Sequence, residues 1–320
     1  MRAFSGASLA VGAMLALSMS VGCSQVGQVK ARRSFKVANT AYQQGDYKKA
    51  ADLYSETLEA DPDLNQAYFF LANSLDNLYK PSRRGQPDND KLLSDAVKYY
   101  QMAAERLGAA ETEDDKKLGK LALEYLVSAY GPDKLEDPAL AEPVLIKMIE
   151  MEPTEPSNYA VLAKIYEDAA YYNEAEDVLL RAKAAKPKDP TVYLQLAGYY
   201  NRQGQFDKTI EALNQRAEIE PNNPEAFQTI AGYYWDETRG DSSLTDAQKR
   251  EYIEKGLQAV DKAISLKSDY VEAITFKGLL LRLQANVEKD PSKQQALLKE
   301  ATELSDRANE LRRQRSGTGN

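Results

Sequence analysis

Between Pro153 and Pro221 the apolar positions recur three and four residues apart, in two short runs separated by a tight turn, and the whole arrangement is then written a second time. The first copy places Tyr159, Leu162, Ala163 and Tyr166 in one run and Tyr172, Ala175, Leu179 and Ala182 in the next, with Ala170 between them and Pro187 at the close. The second copy keeps the phase with Tyr193, Leu196, Ala197 and Tyr200, then Gly204, then Phe206, Thr209, Leu213 and Arg216, before Pro221. Spacings of three and four lay one apolar stripe along a helix, so each copy predicts a helix, a turn and a second helix. The small residues Ala163, Ala175, Ala197 and Thr209 predict close approach of neighbouring helices. A two-helix unit of this size cannot bury its stripe alone, and it has to stack on further copies.

The rest of the chain varies this 34-residue period. Repeat one runs from about 31 to 64, with Ala38, Gly45, Tyr47, Ala50, Tyr54 and Pro62 in phase. Repeat two opens at Tyr68, Leu71 and Ala72 and resumes at Ala96, Tyr100 and Ala103, while a degenerate third keeps the phase through Tyr125, Ala129, Ala141 and Leu145. A sixth begins at Phe227, Ile230 and Tyr234, and a seventh at Val271 ends on a charged helix suited to capping an array. Inserts after Tyr79, Asp236 and Asn286 fall between the two helices of their repeats and are expected to decorate one edge. In the first, Asp88-Asn89-Asp90 hints at calcium ligation, but the glycine and distal glutamate of a calcium loop are missing.

The order of aromatic, Leu, Ala or Gly, Tyr, small residue, aromatic, small residue and closing Pro resembles the tetratricopeptide repeat. That resemblance implies an all-α, right-handed superhelical solenoid of about seven repeats over 35–315, with a C-terminal capping helix. It also implies a concave groove, lined by the first helices, that holds a peptide segment or a partner helix. Carried over by phase, its wall comprises Asn39, Tyr42, Phe69, Asn73 and Asn77, then Lys164, Glu167, Asn201 and Arg202, then Gln228, Trp235 and Asp236. Asn39 and Asn73 occupy equivalent places, where side-chain amides could hold a peptide backbone. Trp235, the one tryptophan, reads either as an anchor or as packing. Phe35, Phe69 and Asp76 stand near where a carboxylate clamp would need cations, so binding of a C-terminal carboxylate is not expected. Charges on the outer helices, such as Lys183 and Glu211, are expected to matter little to the partner.

Composition narrows the chemistry. A net charge of −8 without a basic stripe argues against nucleic acid. With no histidine and one cysteine, most metal sites, internal disulfides and His-based acid–base catalysis are excluded. No phosphate loop or nucleophile elbow is present, so neither an enzyme nor a cofactor is expected.

Residues 1–22 read as a secretory signal, with Arg2 ahead of an apolar run from Leu9 to Leu17. Val21-Gly22-Cys23-Ser24 resembles a bacterial lipobox, which implies acylation of Cys23; an ordinary signal peptide cut near Gly22 is the alternative. Residues 23–34, with Lys30, Arg32 and Arg33, then form a lipidated tether, and 316–320 a disordered tail. The expected protein is a periplasm-facing scaffold anchored by acyl chains, at the outer membrane of a bacterial envelope, that binds another envelope protein or peptide segment. The rival is an accessory of polysaccharide export or glycan binding, which would show exposed aromatic side chains in the groove.

Overall fold

A computed structural model describes residues 10–317, with side chains from 26 to 315. The leader over 1–22, the side chain of Cys23 and the tail from 316 lie outside those described side chains. The chain is all-α, with fourteen helices among the described residues packed in adjacent pairs, and divides into two compact units, Met1–Glu152 and Pro153–Asn320.

Unit 1 holds α1 (Ala10–Gln43), α2 (Tyr47–Ala60), α3 (Gln66–Leu78), α4 (Pro87–Gly108), α5 (Glu113–Tyr130) and α6 (Pro138–Met151). Each odd helix pairs with the next, and α2 packs on α3 and α4 on α5. The segment 23–34, expected as a tether, lies within α1; its Ala31 and Ser34 are buried, and the Ser34 hydroxyl donates to the Leu53 carbonyl of α2 at 3.2 Å. The first hairpin therefore starts ahead of residue 35.

Unit 2 holds α7 (Pro156–Asp168), α8 (Tyr172–Ala185), α9 (Pro190–Arg202), α10 (Phe206–Ile219), α11 (Pro224–Gly240), α12 (Asp246–Leu266), α13 (Val271–Val287) and α14 (Pro291–Gly317). Successive helices pack throughout, and the first helices α7 and α9, and α11 and α13, touch directly. Ala163, Ala175, Ala197 and Thr209 are all buried, as their size predicts. The aromatic that opens a repeat and the proline that closes the previous one act together. The hydroxyls of Tyr68, Tyr159 and Tyr193 donate to the carbonyls of Pro62, Pro153 and Pro187, each six residues back, at 2.8–3.1 Å. A buried phenol thus finds its partner in the turn it covers. Phe227, in the same phase, has no hydroxyl and is only half-buried.

The inserts differ from their expected form. The first is partly a loop, with an exposed stretch around the single 3-10 turn Pro81–Arg83. Its Asp88-Asn89-Asp90, however, lies in the first turn of α4. The Asn89 amide is buried and bonds the backbone N–H and carbonyl of Lys80 at 2.9 and 3.1 Å, and Asp90 accepts from the Gly85 N–H. Those side chains close the loop rather than surround an ion, and among the described residues no cluster of His, Cys, Asp or Glu could hold a metal. The second and third inserts are taken up as helix. α11 and α12 have 17 and 21 residues where α9 and α10 have 13 and 14, and α13 and α14 have 17 and 27. Helix formers such as Ala247, Gln248 and Lys249 in one insert and Lys293, Gln294 and Gln295 in the other extend the helix that follows, leaving turns only at 241–245 and 288–290.

Candidate functional site: the first-helix wall

The wall residues of unit 1 are engaged inside the unit. Tyr54 of α2 donates to Asn39 of α1 at 2.7 Å, and in the next hairpin Asn73 donates to Tyr100 of α4 at 3.0 Å. The two asparagines are therefore equivalent, as their phase predicts, but each amide bonds the tyrosine of its own hairpin's second helix. Asn73 is 2% exposed, and its amide oxygen also accepts from the Tyr42 hydroxyl at 2.7 Å and from Asn77 at 2.9 Å. Tyr100 in turn donates to Asp76 at 3.4 Å, and Lys134, from the α5–α6 loop, reaches both Asp76 oxygens at 2.6 and 2.8 Å. Burial holds the Tyr100 phenol far above its ordinary range, with the Asp76 carboxylate adding to the effect. Phe69 is buried as well, edge-on to Phe70 and Tyr125 at 5.4 and 5.9 Å between centroids. Of these five residues only Asn77 is exposed, and Asn39 and Tyr42 are half-buried.

The wall residues of unit 2 are more open. Arg202 of α9 reaches back to Glu167 of α7 with two parallel bonds of 2.9 Å, and Gln203 adds a third at 3.1 Å. The fork-to-carboxylate geometry fixes both side chains. The hydrogen bonds from Arg202 hold the Glu167 carboxyl below its usual range despite partial burial. Lys164 is exposed and pairs with Asp168 one turn on, and Asn201 is exposed. Between α7 and α9, Lys164, Glu167 and Arg202 rim a cleft of about 290 Å³ floored by Ala160, Leu194, Gln195 and Gly198; Asn201 does not line it. Gly198 leaves the floor low; a Cβ there would meet only the end of the Arg202 side chain, at 3.3 Å. The Gln195 amide oxygen is buried without a hydrogen-bond partner among the described residues, and Leu194 exposes apolar surface at the cleft.

On α11, Gln228 is half-buried and Asp236 is exposed and accepts from Arg239 at 3.4 Å. Trp235 is half-buried: its ring lies edge-on to Phe276 of α13 at 5.9 Å, and the Arg239 guanidinium covers it at 4.8 Å. Its packing partners are Phe276 of the next first helix and Arg239, from the stretch that follows Asp236. The wall aromatics Tyr42, Phe69 and Trp235 are thus all buried or half-buried. The structure brings Lys164, Glu167 and Arg202 together, and sets beside them Leu194, Gln195 and Gly198, which the phase did not single out. The exposed leucine and the helical glycine, one turn apart, were the available signal.

No protein-family model matches the sequence, and no curated protein matches it significantly. Among solved structures, the C-terminal part of a TPR repeat-containing protein from Cytophaga hutchinsonii is 14% identical and superimposes with a TM-score of 0.55, covering 87% of this chain and 98% of that one. A tetratricopeptide repeat protein from Parabacteroides merdae is 13% identical, with a TM-score of 0.43 over 85% of this chain and 99% of the other. YrrB, described as a TPR protein with an unusual peptide-binding site, is 17% identical, with a TM-score of 0.38 over 61% of this chain and 89% of its own. The first of these, with the helix pairs described above, gives the fold: an all-α array of helical hairpins of the tetratricopeptide type.

Proposed function

We propose that the chain is a non-catalytic scaffold, held at a bacterial envelope membrane through Cys23, that binds a segment of another envelope protein in the cleft between α7 and α9. The observation that carries the binding reading is the cleft floor. Gly198 keeps that floor low between α7 and α9, so that a bound backbone can lie close to the helix. Leu194 supplies apolar contact, and Lys164, Glu167 and Arg202 supply a polar rim. The anchoring reading is supported by the sequence alone: Arg2, the apolar run Leu9–Leu17 and the chain's one cysteine at Val21-Gly22-Cys23. Among the described residues no helix is long and apolar enough to cross a membrane. The glycan reading gains nothing from a wall whose aromatics are buried or half-buried.

Gly198→Leu tests the site, because leucine grows into the cleft while favouring the helix. Capture of the partner from detergent-solubilised envelopes falls by about tenfold or more, with circular dichroism unchanged. Undiminished capture by this variant rules out the α7–α9 cleft. Intact mass of the membrane-extracted protein tests the anchor, and a mature chain without acylated Cys23 removes it.

A further inference from the structure

A second cleft in unit 2 lies away from the wall. It measures about 770 Å³ and runs between the second helices α10 and α12 over a floor supplied by α11. On α11 the floor residues are Phe227, Ile230 and Tyr234, whereas the predicted wall residues are Gln228, Trp235 and Asp236. At 100° per residue the two sets occupy different faces of that helix. The floor is aromatic at one end: Phe206, Tyr234 and Tyr252 have ring centroids 5.0–5.7 Å apart. Phe227, lacking the hydroxyl that ties its counterparts to the preceding turn, lies half-buried at the other end, with Lys262 5.8 Å from its ring.

The two rims carry opposite charge. Along α10 stand Asp207, Glu211 and Glu218; along α12 stand Lys255 and Lys262. Lys255 is bonded to Glu251 at 2.7 Å, and Glu211 accepts from Gln215 at 3.2 Å. Asp207, Glu218 and Lys262 make no ion pair among the described residues. The acidic row steps by four and seven residues and the basic row by seven, the period at which a helix lying along the cleft would present its own side chains. From Phe206 to Glu218 the acidic rim is about 18 Å long, room for a helix of three turns or a little more.

We propose that this cleft is a second docking site, and that its occupant is an amphipathic helix of a partner protein with Lys or Arg along one flank, facing α10, and Asp or Glu along the other, facing α12. The apolar face of that helix covers Phe206, Phe227 and Tyr252 and completes a four-helix arrangement with α10, α11 and α12. Glu211, expected from the sequence to be inert, becomes a contact. The assignment does not rest on the α7–α9 cleft and survives its failure.

The probe is a fluorescein-labelled helical peptide of about 14 residues with a leucine face, lysines on one flank and glutamates on the other, titrated into the full chain at low salt. Saturable binding is expected, weakened about tenfold or more by Glu211→Lys with Glu218→Lys, and likewise by Lys255→Glu with Lys262→Glu. All four substitutions together should restore it. Turning the peptide end for end exchanges its flanks while keeping its apolar face down, so the exchanged rims still find their complements. The substituted side chains are at the surface, and circular dichroism confirms that each variant folds. Hydrogen exchange of the complex should show protection in α10–α12. Three results overturn the proposal: single-rim variants that bind as the wild type does, a fourfold variant that stays weak, or protection in α7–α9 instead. Self-association of the chain without peptide, abolished by Glu211→Lys, also overturns it and gives the cleft to a second copy.

Discussion

Ala170 sits in the left-handed backbone region, with φ of 61°, at a turn whose counterparts use Gly45 at 75° and Gly204 at 67°. All three turns close the same way, with an N–H bonding a carbonyl five residues back: Asp46 to Ala41, Tyr171 to Tyr166 and Gln205 to Tyr200, at 2.8–2.9 Å. A side chain there costs about 1 kcal/mol, and a glycine relieves it at some entropic cost to the unfolded chain. Ala170→Gly should therefore raise stability by roughly 0.5–1 kcal/mol in thermal denaturation, and Gly204→Ala should lower it by about 1 kcal/mol. A drop in melting temperature for Ala170→Gly would mean that the turn carries no strain. At this scale the sequence was a good guide wherever size decided the outcome: Ala163 and Ala197 were readable as buried because no larger residue suits a close helix crossing. It was a poor guide to Asn39 and Asn73. Phase tells which face a residue lies on, but not that Tyr54 and Tyr100 of the following helix already meet those amides.

The helix pairs were legible from periodicity, and their lengths were not. The insert after Asp236 is shorter as a loop than as a sequence: α11 continues to Gly240 and α12 starts at Asp246, so only 241–245, with Asp241, Ser242 and Ser243, interrupts the helices. What joins elements in unit 1 is partly polar. Lys134 of the α5–α6 loop pairs with Asp76 of α3, whose side chain is 6% exposed. Lys134→Met leaves a buried carboxylate without its counter-charge and should cost about 3 kcal/mol or more in chemical denaturation. Adding Asp76→Asn should return much of that loss. A double variant no better than the single would show that the pair itself is not the source.

For the whole chain, the absence of histidine shapes the response to pH. No side chain of ordinary pKa has its midpoint between about pH 6 and 8, so the melting temperature should be nearly constant there. Below that range it should fall. Glu167 is held below the usual carboxylate range chiefly by its hydrogen bonds from Arg202, so its contribution is complete above its unfolded pKa of about 4.3 and is lost as pH drops through the folded value. Glu167→Gln should flatten the acid limb; an unchanged limb would exclude this pair as its cause. Glu237 tilts the other way. Burial, Asp241 and Asp207 raise its pKa, so what it contributes is present at low pH and declines as the group ionises. The link from Lys134 to Asp76 bears also on the order in which the chain can assemble. Most contacts join neighbours in sequence, so hairpins can form one after another as residues emerge from a ribosome or an export channel. Asp76, however, waits 58 residues for its cation. Until Lys134 has emerged, a nascent chain that has already packed α3 against α4 carries a carboxylate it cannot neutralise. The first three hairpins therefore mature as one block, and a stall anywhere between 100 and 134 would leave an intermediate that chaperones or proteases can still reach.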